Sequence, residues 1–294
     1  MKAGVLQPIT HGWAGAVIIV AALALTLAAC GSGSGATSVV DKIAKEHRVV
    51  VGTKWDQPGM GLKTGRGDPE GIDVDVAKYL INELSGGQKV DIAWKESASA
   101  NREAFLANGT VDMILSGYSI TNARAEKVTF AGPYIVAHQD TMVRADSTGI
   151  DKATDLAGKR ICQVAGSNSY KRITDPPPDG KLALSVQLVG AANYSECVAK
   201  LRGNNLDAVT TDDLLLAGFA AQGGSRLRIL GDPFTDENWG VGLKKGDVKT
   251  CEAMNAAIAR MYTDGTIRQL FEKWFSTVKG LAPPTVAPPA QHCS

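Results

Sequence analysis

Between Val39 and Phe275 the apolar residues switch between two periods. Short unbroken runs such as RVVVGT (48–53) and VDMILS (111–116) predict buried strands. DVAKYLINEL instead sets Val76, Leu80 and Leu84 four residues apart, the stripe of an amphipathic helix. Asp73 and Asp75 stand at that helix's start, where a carboxylate suits the dipole. VDIAWKES predicts a strand, and NREAFLANG a helix with Asn101 as its cap. These segments make one βαβαβ unit.

After residue 150 the grammar restarts. A strand is expected near 160–165, a short helix at SNSYKRI and a surface loop at PPPDGK (176–181). LALSVQLV, NYSECVAKLRGN and LDAVTTD follow as strand, helix and strand, with a further helix at DLLLAGFAAQ and a strand at LRIL. WGVGLKKGD and the stretch from Cys251 to Phe275 give one strand and two helices, too little for a lobe, so they return to the first. Alternating strands and helices predict an α/β fold with largely parallel sheets. The expected architecture is two Rossmann-like lobes, 39–138 with 239–280 and 139–238. Crossover segments near 137–144 and 232–240 join them into a clam, and a Pro-rich extended tail covers 281–294.

The first thirty residues differ in kind. A lone Lys2 precedes the apolar run AGAVIIVAALALTLAAC, the layout of a secretory signal peptide over 1–29. The run is short of the roughly 18–20 residues of a membrane span. LAAC, ending at Cys30, resembles the bacterial lipobox, which implies lipidation of Cys30 and a flexible tether over 30–38. An exported chain places Cys162, Cys197, Cys251 and Cys293 in an oxidising compartment, where three pairings are open. Cys162 with Cys197 and Cys251 with Cys293 keeps each bridge within one lobe. Each is worth at most about 4 kcal/mol in the chain-entropy model. No CxxC or HxxxH spacing supports a metal instead.

The break in pattern at GYSITNARAEKVTF (117–130) interrupts two apolar runs with small polar residues and delivers Arg124. With a formal net charge of +1 and no basic run, a nucleic-acid surface is not expected. GMGLKTG misses the P-loop spacing because Leu62 separates Gly61 from Lys63.

GIDVDVAKYLINEL (71–84), ITNARAEKVTFAGPY (120–134) and LDAVTTD (206–212) together resemble the bacterial extracellular solute-binding proteins of the polar amino acid class, family 3. With GTKWDQPG and SANR, the resemblance is greatest to glutamate-binding lipoproteins of ABC uptake systems. It runs from about Val49 to Phe275, with Ile81 where the pattern prefers a smaller residue. It implies that Arg124 grips an α-carboxylate, assisted by Gly117 and Ser119. Asp212, with Asp213 as its neighbour and rival, is implied for the ammonium, and Arg102 for an acidic side chain.

The chemistry of the residues agrees with that implication. A zwitterion buried without partners is costly, and an arginine fork donates two parallel bonds to a carboxylate. Ser167 and Asn168, in AGSNS between a strand and a helix, also suit an anion. Lys54, after the first strand, is a further cation near the expected cleft, and Trp55 is a candidate wall for the ligand's aliphatic stem, with Tyr118 a similar case. Arg124 and Asp212 neutralise a ligand's backbone groups, so Arg102 and Lys54 favour L-glutamate over glutamine, with aspartate the near alternative.

The expected protein is a monomeric receptor without cofactor. It is held by a lipid anchor on the extracytoplasmic face of the plasma membrane and hands its ligand to an ABC permease. A sensor domain of the same fold reads identically. A dehydratase-like enzyme needs a base in the cleft, and of four histidines only His138, at the first crossover, is placed for one.

Overall fold

The structure, a computed structural model, describes residues 38–278 and 280–294. The expected signal peptide (1–29), Cys30 and the expected tether up to residue 37 lie outside the described residues. The chain enters through Ser38, whose hydroxyl accepts the Asp41 amide and caps α1 (Val39–Glu46). Only Val39 and Ile43 of α1 are buried, a stripe too short to announce a helix in the sequence. β1 (Arg48–Thr53) follows, then a small hairpin of β2 (Asp56–Gln57) and β3 (Gly61–Leu62) that leads into α2 (Ile72–Leu84). The Val76, Ala77 and Leu80 face of α2 is buried, as its period requires. β4 (Asp91–Glu96), α3 (Arg102–Ala107), β5 (Met113–Ile114) and α4 (Asn122–Ala125) complete the first pass.

β6 (Val128–Arg144) then runs for 17 residues from one lobe into the other. The second lobe is built from β7 (Arg160–Val164), α5 (Ser169–Thr174), β8 (Gln187–Ala191), α6 (Tyr194–Arg202), β9 (Val209–Asp212), α7 (Asp213–Gly223) and β10 (Leu227–Ile229). β11 (Thr235–Lys244) returns antiparallel to β6, from Thr235 opposite Gln139 to Lys244 opposite Val128. α8 (Val248–Thr263) and α9 (Thr266–Phe275) then pack on α2. The main sheet reads β10-β6-β11-β5-β1-β4, with β9 added on β6.

Three expectations need correction. The sheet is mixed: β4 and β5 flank β1 in parallel and β7 pairs β8 in parallel, but every ladder made by β6 or β11 is antiparallel. The two crossovers are themselves strands running opposite ways, which the alternation of strands and helices does not reveal. The strand expected at LALSVQLV begins only at Gln187, because Ala183 adopts a left-handed φ of 51° that breaks an extended run. Leu182, Leu184 and Val186 instead pack against the core of the second lobe. Asn101 does precede α3, but its side chain makes no capping bond.

The cysteines pair as expected, Cys162 with Cys197 and Cys251 with Cys293. The second bridge ties the irregular tail to α8, and the tail is held further by the Gln291 amide on the Gly132 carbonyl at 2.7 Å. Among the described residues no helix is long and apolar enough to cross a membrane.

Candidate functional site

The parallel strands of both lobes present their C-terminal ends to one cleft, where α/β sheets place ligands. Lys54 follows β1, Ser116 and Gly117 follow β5, Ser167 and Asn168 follow β7, and Asp212 ends β9. Together with Arg102, Ser119 and Arg124 they line one predominantly polar cavity.

The break at 117–124 now has a geometry. Gly117 takes a φ of 53°, turning the chain after β5 so that Ser119 bridges to Trp239 of β11. Thr121 caps α4 and so places Arg124, a buried residue. The guanidinium donates to the Ser119 carbonyl at 2.8 Å and, across the cleft, to the Gly166 carbonyl at 3.3 Å. Arg102 reaches the same Gly166 carbonyl at 3.5 Å and the Ser99 carbonyl at 3.3 Å. Both guanidiniums stand over the Tyr118 ring, at 4.0 Å for Arg102 and 5.1 Å for Arg124. The Tyr118 hydroxyl donates to Glu103 at 2.7 Å, so the ring that carries two cations is itself anchored by an anion. Tyr118 is thus a support beneath the site, not part of its lining.

Lys54 donates to the Ser99 hydroxyl at 2.9 Å. Burial, and then the neighbouring Arg102, bring its ammonium down to about 7. Burial, and then Arg124, lower Arg102 to about 10. On the opposite wall Asp212 accepts the Trp239 indole N–H at 2.6 Å, and burial followed by Glu237 raises its carboxyl well above the usual range. Asp213 is separated from it by geometry. It faces the His138 amide at 3.1 Å and the His138 ring at 3.3 Å and takes no part in the lining. His138 lies outside the cavity as well.

Two expectations change. The Gly117 amide is occupied by the buried carboxylate of Asp73 at 2.9 Å, leaving the Gly117 carbonyl as the group it offers. Asp73 also accepts the Tyr134 hydroxyl at 2.6 Å, and burial lifts its carboxyl to about 7. Trp55 is not in the lining: its ring lies under the Lys63 ammonium, 4.1 Å from the centroid, and its indole N–H is buried without a partner.

The sequence reading missed Gln57, Ser99 and Ser116 on one wall. On the other it missed Ser169, Tyr194, Thr211 and Leu215. Ser116 and Ser169 adjoin residues already singled out, and their position in the same loops is the signal that could have found them. Tyr194 comes from α6 through the fold alone: its hydroxyl joins Ser167 at 2.9 Å and Ser169 at 3.0 Å in one network. Gln57 Oε1, Ser116 Oγ and Asn168 Nδ2 are buried lining atoms without a protein partner, the pattern of a wall built to bond a polar guest.

The model of the family described as bacterial extracellular solute-binding proteins, family 3, matches residues 49–277. The glutamate-binding protein GluB of Corynebacterium glutamicum is 42% identical over 266 residues, covering 87% of this chain and 88% of GluB. The ABC transporter glutamine-binding protein GlnH of Bacillus subtilis is 32% identical over 260 residues, covering 85% and 92%. Among solved structures, an ancestral arginine-binding protein bound to glutamine matches with a TM-score of 0.70 and 30% identity, covering 78% of this chain and 98% of that one.

Proposed function

The chain belongs to the bacterial extracellular solute-binding proteins, family 3, and on that premise we propose that its cleft captures L-glutamate for delivery to the membrane permease of an ABC importer. It is an amino-acid-binding protein, as its relatives are. The acidic ligand, the anchor at Cys30 and the permease are our reading. The observation that carries the ligand assignment is the charge of the lining: three cations, Lys54, Arg102 and Arg124, against the one carboxylate of Asp212.

In this reading Arg124 and Ser119 hold the α-carboxylate from the first lobe, and the unpartnered Asn168 amide, supported by Ser167, meets it from the second. Asp212 and the Gly117 carbonyl take the ammonium. Arg102 and Lys54 take the side-chain carboxylate. Closing two guanidiniums and an ammonium into one buried space without an anion is unfavourable, because each loses water and repels the others. Two ligand carboxylates reverse both costs, so closure follows capture. A neutral glutamine side chain reverses only part of them.

Proton linkage tests the assignment. In the ligand-free cleft the Lys54 ammonium sits at about 7. A carboxylate beside it raises that value, so binding takes up a proton and the Lys54 contribution to affinity fades as pH rises above about 7. Asp212 acts in the opposite sense: the ligand's ammonium lowers its raised carboxyl and releases a proton. Calorimetry in buffers of different ionisation enthalpy, from about pH 6 to about pH 9, separates the two when wild type is compared with Lys54→Met. Wild type takes up more protons than the variant, and the difference grows above neutrality. Equal proton counts in the two proteins would remove Lys54 from the ligand's side-chain site.

A further inference from the structure

We propose that the hairpin segment Asp56–Pro58 is a closure latch, which grips α6 and α7 of the second lobe outside the cavity and sets how much of the protein is binding-competent. The latch rests on the capture-and-closure reading above, but on different residues. Asp56 is bonded to the start of α6 twice: its carboxylate accepts the Ser195 amide at 3.2 Å, and its carbonyl accepts the Ser195 hydroxyl at 2.7 Å. These bonds join the lobes through backbone and side chain at once.

Beside them, Gly218 lies in the middle of α7, directly against Pro58. Glycine is among the poorest residues for a helix interior, so its place there calls for a reason. A Cβ at 218 would overlap the Pro58 carbonyl oxygen and stand 2.8 Å from its carbonyl carbon. The helix is apolar almost all round, with Leu214, Leu215, Leu216, Ala217 and Phe219 buried, as befits a helix covered on two sides.

The hairpin cannot retreat to make room. The Gly59 carbonyl accepts the Ile72 amide at 2.9 Å, the Gln57 carbonyl accepts Met60 at 3.2 Å, and β2 pairs β3. Lys54 and Gln57, which line the cavity, sit on the same rigid segment. Displacing Pro58 from α7 therefore withdraws a ligand cation from the cleft.

Gly218→Ala is the direct test. Alanine favours the helix when the lobes are apart and obstructs it only when they meet, so the ligand-free protein melts no lower than wild type. Its L-glutamate affinity falls in proportion to the lost closed fraction, on the order of thirtyfold. Small-angle scattering at saturating glutamate shows the wild type contracting and the variant less so. Asp56→Ala, which removes the carboxylate bond and one negative charge near Lys54, weakens binding by about tenfold or less. Wild-type affinity and full contraction in both variants would overturn the latch. A wild type that ignores L-glutamate but binds L-glutamine would sink the ligand assignment alone, and the same series run with glutamine still decides the latch.

Discussion

An Arg124→Ala protein folds and loses glutamate binding by roughly three orders of magnitude, the largest effect the structure predicts. The guanidinium is buried, fixed from its own lobe by the Ser119 carbonyl and the Glu103 carboxylate and backed by the Tyr118 ring, so it meets a carboxylate without first having to be ordered. Removing one partner of a buried ion pair costs roughly 3–5 kcal/mol, since the other is left desolvated and unpaired. Every tenfold in affinity is about 1.4 kcal/mol. Arg124→Lys keeps the charge but loses the fork and both carbonyl contacts, and is expected to recover only a minor part. Because Arg124 serves the α-carboxylate, the loss extends equally to aspartate and glutamine. Near-normal calorimetric affinity in Arg124→Ala would overturn the carboxylate assignment.

Asp212→Asn loses about two orders of magnitude in affinity, and the thermal stability of the ligand-free protein does not fall with it. An amide can still accept the Trp239 N–H while presenting no charge to the ligand's ammonium. The stability sign follows from the direction of the shift. Burial and Glu237 raise the folded carboxyl, so ionising it opposes this geometry, and whatever stability it lends is lost as pH rises from its unfolded value through the raised one. An amide has no such slope. Calorimetry paired with melting curves therefore shows affinity and stability diverging. Unchanged affinity would shift the ammonium to another group, and a large fall in melting temperature would make Asp212 a structural residue first.

Much of this is legible in the sequence. The strands β1, β7 and β9 and the helices α2, α6 and α7 stand where period and turn residues place them, because each has an apolar run or face to bury. Arg124, Asp212 and Arg102 are singled out by the family resemblance and Lys54 by its place after the first strand, and all four line one cavity. What was not legible is relational. Nothing local in DLLLAGFAAQ says that Gly218 faces a carbonyl 160 residues earlier in the chain. Nothing in GIDVD says that Asp73 takes the Gly117 amide from the ligand. Asp212 and Asp213 differ only in which side of a strand end they leave, a distinction of one residue that pairing with β6 decides. Trp55 was misplaced because an aromatic ring after a cleft cation suits a wall and a cation platform equally, and Lys63 makes it the second.

The central claim is that the cleft is built for an amino acid carrying a second negative charge. Calorimetric titration of L-glutamate, L-aspartate, L-glutamine and L-asparagine into wild type and Arg102→Ala tests it most directly. Wild type is expected to rank glutamate above glutamine. In Arg102→Ala the glutamate affinity falls by about thirtyfold while glutamine changes by about threefold or less, since the removed charge faces only the acidic side chain. Tight glutamine binding by wild type with no response to glutamate, or equal losses of both ligands in Arg102→Ala, would contradict it.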